Sequence, residues 1–135
     1  MIFDCLIIGG GVSGMQCALV LGSAMKKSFM IDKNIGIIIH QNASHLENAL
    51  FNNVLGLSPN TLGKNILQQG KEQLSTLYAE IHQIEKEKVI SVDEIDGVFK
   101  VITNKNVYQA KTVILALNYS KPFTIEGLDN FIIPH

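Results

Sequence analysis

Apolar and polar positions change period several times along this chain. Cys5-Leu6-Ile7-Ile8 is a continuous apolar run that ends at Gly9. A short run bounded by glycine predicts a strand covered on both faces. From Val12 the spacing turns helical, with Gly14, Ala18 and Gly22 forming one face of small residues. That face predicts a helix lying flat on the sheet. Ser28-Phe29-Met30-Ile31 reads as a second apolar strand ending in Asp32. Asn34-Ile35-Gly36 is then a turn signal, and Ile37-Ile38-Ile39 fits either an extra strand or part of a loop. His40 to Gly56 is rich in Asn and His and weakly periodic, and long loops of this kind are often functional or mobile.

The second half repeats the switch of period. Ser58-Pro59-Asn60-Thr61 signals a helix start, and Ile66, Leu67, Leu74, Leu77 and Tyr78 predict a helix from about Thr61 to Tyr78. Ala79 to Ile84, Val89 to Val92, Val98 to Thr103 and Val107 to Ala110 alternate as half-buried strands do. Asp96-Gly97 and Asn104-Lys105-Asn106 supply turns among them. These segments predict a small antiparallel meander inserted before a last parallel strand, Thr112 to Leu117. The order of elements predicts an α/β, Rossmann-like three-layer fold with a parallel sheet and a small antiparallel β-meander. Residues 1–135 read as one domain.

Strand, Gly9-Gly10-Gly11-Val12-Ser13-Gly14 and helix together form the context in which a G-x-G-x-x-G pattern carries weight. Gly9 lets the chain turn off the strand, Gly11 lets a pyrophosphate reach the backbone, and Gly14 lets helix and strand approach. The helix start, with Val12 and Ser13, offers N–H groups and a partial positive charge to phosphates. Asp32, with Lys33 beside it, falls about 20 residues further on, where a carboxylate accepts hydrogen bonds from an adenosine ribose.

Composition narrows the alternatives. Eleven Lys and Arg against 12 Asp and Glu give a net charge of −1, and no basic stretch resembles a nucleic-acid footprint. The hydrophobic fraction of 47% and mean hydropathy of +0.22 suit a sheet buried on both faces. No apolar run has the length of a membrane span and the N-terminal run is too short for a signal peptide, so a cytoplasmic location is expected. Glu85-Lys86-Glu87-Lys88 reads as a solvated turn. Cys5 and Cys17 read as small buried apolar residues, not a redox pair. His40, His45 and Glu47 lack a further ligand at a recognised metal spacing, so no metal site is expected. Tyr108 reads as a strand-packing residue and His82 as an exposed or structural strand residue, and no residue has a credible catalytic acid, base or thiol role.

The residues also resemble a known family, the FAD-binding half of thioredoxin-reductase-like flavoproteins, over essentially the whole chain. The glycine turn and Asp32 match its FAD fingerprint. Asn53-Val54-Leu55-Gly56-Leu57 looks like its Asn/Gly segment before the second helix. Ala110 to Ala116 looks like the strand that ends there in Ala-Thr-Gly, which here reads Ala116-Leu117-Asn118, and Ile125-Glu126-Gly127-Leu128 resembles the turn that follows. The resemblance implies FAD as cofactor, with its ADP moiety on the first βαβ unit and electrons arriving from NAD(P)H. It makes Gln41, Asn42 and Asn53 candidates for hydrogen bonds to the cofactor, with Ala116 and Asn118 at the final turn. It also implies an incomplete domain, because the family's nicotinamide-binding domain and C-terminal flavin segment do not follow His135. Two other readings remain open: an NAD-binding dehydrogenase domain, and a non-catalytic Rossmann module used for association. A homodimer is compatible with each.

Overall fold

The computed structural model describes residues 2–40, 46–117 and 126–127. Strands β1 (Ile2–Phe3) and β2 (Cys5–Ile8) lead to helix α1 (Val12–Ala24) and a single 3-10 turn at Ser28–Met30. Strand β3 (Ile35–Ile39) follows, then a small hairpin of β4 (Leu50–Phe51) and β5 (Thr61–Leu62), and helix α2 (Gly63–Leu77). Strands β6 (His82–Glu85), β7 (Val89–Ile95), β8 (Val98–Thr103), β9 (Val107–Ala110) and β10 (Val113–Leu115) complete the order.

Two sheets are built from these strands. One is fully parallel, in the order β10-β2-β3-β6, and the other has the order β1-β9-β8-β7. Within the second, β7, β8 and β9 form the expected antiparallel meander. The isolated pairing of Ser91 with Glu126 extends its β7 edge. The N-terminal strand divides between the sheets at Asp4, since β1 pairs with β9 and β2 lies between β10 and β3.

The parallel sheet is the middle of three layers, which explains its unbroken apolar runs. Ile7, Ile35, Ile37 and Ile39 face the helices and pack with Met15, Ala18 and Leu74. Leu6, Ile8 and Ile38 face the other way and pack with Val89, Val92, Val101 and Ala110 of the meander. Both faces are covered, so neither can be polar.

Three expectations are corrected. Ser28 to Ile31 is not a strand: it is the 3-10 turn, with Phe29 and Ile31 exposed at 70% and 64%. The second parallel strand is Ile35–Ile39, every residue of which is buried. An interior strand needs cover on both faces, and Ile35–Ile39 lies between β2 and β6, while Phe29 stays at the surface. Gly36, read as part of a turn, sits inside that strand, where an added Cβ would press on the Phe3 ring and Leu6. Finally, β6 joins the parallel sheet beside β3 instead of the meander.

Candidate functional site

The glycine turn stands at the C-terminal end of β2 and is locked by two backbone hydrogen bonds. Gly9 N–H donates to the Ile38 carbonyl at 3.1 Å, and Ala116 N–H donates to the Ile8 carbonyl at 2.8 Å. Gly9 has φ of +121°, a region closed to most side chains. A Cβ there would collide with the Ala116 carbonyl, and a Cβ on Gly14 would collide with the Gly9 carbonyl and lie 3.2 Å from the Ala116 Cβ. Gly9, Gly14 and Ala116 are therefore one packed unit joining β2, α1 and the end of β10. Gly11 differs, because a Cβ added to it meets nothing within 4 Å.

The helix that follows has an open start. Gly11 is its N-cap, with no side-chain cap and no acid in the first turn. The first internal bond runs from Met15 N–H to the Gly11 carbonyl at 2.9 Å. The amides of Val12, Ser13 and Gly14 have no hydrogen bond to a described residue. Val12 and Ser13 are exposed. The start of α2 is also without a side-chain cap, yet Gly63 and Lys64 donate to the Ala49 and Glu47 carbonyls at 2.9 and 3.2 Å. An uncapped first turn whose leading residues are exposed suits an anionic ligand.

The small-residue face of α1 packs differently from one end to the other. Gly14 lies on the strand turn, but the Cβ site of Gly22 is filled by the Tyr78 ring at the end of α2. Met15 fills the equivalent place at Gly70. The face therefore seats both the sheet and the second helix.

The other expected residues divide. Gly9, Gly11, Val12, Ser13, Gly14 and Ala116 come together. Asp32 and Lys33 do not join them, and the expectation that Asp32 closes the second strand is corrected. They precede β3, at the N-terminal end of the parallel strands, because Cys5 pairs with Ile35 and Ile8 with Ile38. Asp32 occupies a left-handed turn position with φ of 60°, and the Lys33 ammonium lies 3.4 Å from Asp4. Asn53 is exposed in the loop between β4 and β5. Gln41, Asn42, His45 and Asn118 lie outside the described residues. The residue that follows the true second strand is His40, which is exposed. The five buried residues Ile35–Ile39 were the available signal for it, masked in the sequence by Gly36 and the more conspicuous Phe29-Met30-Ile31 run.

Two carboxylates are held firmly away from this turn. Asp4 accepts from Lys111 Nζ at 2.8 Å, Asn34 N–H at 2.9 Å and Lys33 Nζ at 3.4 Å. The Lys111 contact leads in holding its carboxyl down at about 2. Glu87, read as part of a solvated turn, is instead buried at 6% exposure. It accepts from Thr103 Oγ1 at 2.7 Å, Asn106 Nδ2 at 2.7 Å and Tyr108 Oη at 3.0 Å. Burial alone would raise its pKa, but these donors outweigh burial and the net shift is downward. Cys5 and Cys17 are half-buried free thiols. Burial, then the nearby Cys17, pushes Cys5 up to about 11, so it is not primed for thiolate chemistry.

A parallel sheet between a helical layer and an antiparallel meander, with an uncapped glycine turn at its C-terminal edge, defines a dinucleotide-binding domain. The chain belongs to the pyridine nucleotide-disulphide oxidoreductase family, which it matches over residues 3–133. FAD is that family's cofactor and NAD(P)H its electron donor. The sequence is 32% identical to a thioredoxin reductase from Peptoclostridium acidaminophilum over 85% of this chain and 34% of that protein. It is 28% identical to ferredoxin–NADP reductase 1 of Oceanobacillus iheyensis over 96% of this chain and 38% of the relative. The crystal structure of an oxidoreductase from Agrobacterium tumefaciens superposes with a TM-score of 0.70 at 27% identity, covering 85% of this chain and 36% of that one. The chain thus spans about a third of the length of the curated relatives it matches. No helix among the described residues is long and apolar enough to cross a membrane.

Proposed function

We propose that this chain is the FAD-binding part of an electron-transfer oxidoreductase that takes electrons from a reduced nicotinamide. The observation that carries the reading is the start of α1: amides of Val12, Ser13 and Gly14 without described partners, in front of a glycine whose Cβ site is empty. In this reading those amides hold the pyrophosphate, with the helix dipole adding to the attraction. Gly9, Gly14 and Ala116 set the position of the turn, and Gly11 gives the phosphates access to the backbone. When bound, FAD supplies the redox chemistry, and the protein groups bind and orient it. Gln41, Asn53 and Asn118 are proposed as cofactor contacts on the resemblance alone. A cytoplasmic location and a homodimer belong to the same proposal, with light scattering as the check on the second.

The test is a titration of the purified chain with FAD and, separately, with NAD, followed by flavin fluorescence and calorimetry. Saturable FAD binding that exceeds NAD binding is expected. An absence of FAD binding at saturating cofactor would overturn the proposal, and tighter NAD binding would favour the dehydrogenase reading.

A further inference from the structure

We propose that the outward face of the β7-β8-β9 meander docks a second copy of this chain, turned by a two-fold rotation so that the basic end of each meander lies on the acidic end of the other. The inference rests on the homodimer reading above and names the surface for it.

The strand register sorts the meander into two faces. Residues paired across neighbouring strands point to the same side, and successive residues alternate. Val92, Val101 and Tyr108 are paired, and they pack toward the parallel sheet. Ile102 and Val107 are paired one residue along and so face outward, as do Asp93, Lys100 and Gln109 in the next row. Ile2 of β1 extends that row opposite Gln109, and the paired Ile95 and Val98 close the face at the β7–β8 turn. Ile2, Ile95 and Val107 are exposed at 43%, 54% and 58%. The meander therefore carries apolar side chains on both faces, and only the inner face is covered by a layer of the described residues.

Charge identifies the partner. The exposed Lys88 and Lys105 stand at one end, where β7 begins and β8 turns into β9. The exposed Glu94 and Asp96 stand at the other end, where β7 turns into β8. The ion pairs among the described residues join Lys33 and Lys111 to Asp4 and Lys71 to Glu85, so neither end is neutralised by them. Glu87 does not offset the lysines at the surface, because it is buried among Thr103, Asn106 and Tyr108. Between the two ends Asp93 lies opposite Lys100, and Glu126, bridged to Ser91, borders the face along its β7 edge. A two-fold axis through this face reverses the strand direction of the second copy, so each basic end meets an acidic end and the same patch serves both copies. A partner of one charge sign, a nucleic acid or an anionic lipid surface, would match one end and be repelled by the other.

The experiment measures the mass of the full chain in solution by sedimentation equilibrium. The forms compared are the wild type, an acidic variant (Lys88→Glu with Lys105→Glu), a basic variant (Glu94→Lys with Asp96→Lys) and Val107→Ser. All of these positions are exposed, so the variants are expected to fold, with circular dichroism as the check. The wild type should form a dimer that weakens as salt is added. The acidic and the basic variant should each dimerise about a hundredfold more weakly, because contacts at both ends change from attraction to repulsion. An equimolar mixture of those two should recover a heterodimer of near wild-type strength, which variants that had lost their fold could not do. Val107→Ser should weaken the dimer by about tenfold. A wild type that stays monomeric overturns both this surface and the homodimer reading. A dimer that no variant weakens, or a mixture that recovers nothing, overturns the surface and leaves the homodimer reading standing.

Discussion

The two α-helices of this protein begin alike and end up opposite in character. Each starts at or beside a glycine, Gly11 at α1 and Gly63 at α2, without a side-chain cap and without an acid in its first turn. At α2 the chain's own carbonyls, those of Glu47 and Ala49, take the leading amides. At α1 the corresponding amides have no hydrogen bond to a described residue, while the backbone around them is fixed by contacts among Gly9, Gly14 and Ala116. A helix start costs free energy when its donors are buried and unmet. One start is therefore a structural joint, and the other is the rigid frame that we propose as the seat of the cofactor's phosphates. Rigidity without occupancy is what a preorganised binding site requires.

Four substitutions test that contrast, in descending order of expected effect on stability. Gly14→Val places branched carbon against the Gly9 carbonyl and Ala116. It should cost about 3 kcal/mol in urea unfolding, and binding of FAD should disappear with the frame. Gly63→Ala drives a Cβ into the Leu46 carbonyl at the joint of α2. The expected loss is about 2 kcal/mol, with FAD affinity per folded molecule unchanged. A coupled loss of affinity would mean that the two helix starts are not independent.

Asp4→Asn addresses the other end of the parallel strands. The folded carboxyl titrates near 2, below its ordinary 3.8. A depressed folded value stabilises the protein above the unfolded pKa, and that stability is lost as the pH falls toward about 2. The variant should lose about 1 kcal/mol at neutral pH, and its urea midpoint should fall less steeply on acidification. An unchanged acid slope would locate the pH dependence elsewhere, with the buried Glu87 as the next candidate. Gly11→Ala is the sharpest case. Nothing lies near the new methyl, and Gly11 has φ of −73°, so stability should stay within about 0.5 kcal/mol. FAD affinity should nevertheless fall by about tenfold, because the methyl stands where the phosphates approach. Equal affinities in wild type and Gly11→Ala would remove the open turn as the binding site.

Much of the frame was legible in the sequence. Alternation marked the meander strands, because a sheet with one dry face writes a period of two into the chain. The glycine turn was legible because its backbone geometry excludes nearly every other residue at Gly9 and Gly14. Glu87 was not: inside a mixed-charge run it looks solvated, and only the pairing of β7, β8 and β9 brings Thr103, Asn106 and Tyr108 around it. The placement of β6 was equally hidden, since an alternating segment fits either sheet.

The sequence by itself determined the glycine turn that we propose as the pyrophosphate site, because steric exclusion acts within a few residues of chain. It did not determine which apolar run is the interior strand. Phe29-Met30-Ile31-Asp32 and Ile35-Gly36-Ile37-Ile38-Ile39-His40 both satisfy the local pattern of an apolar strand followed by a polar end. The tertiary structure decided between them by burial. A strand between two neighbours, covered by helices on one side and the meander on the other, must be apolar at every position. Ile35–Ile39 meets that demand, which puts Asp32 before the N-terminal end of β3 and His40 directly after its C-terminal end.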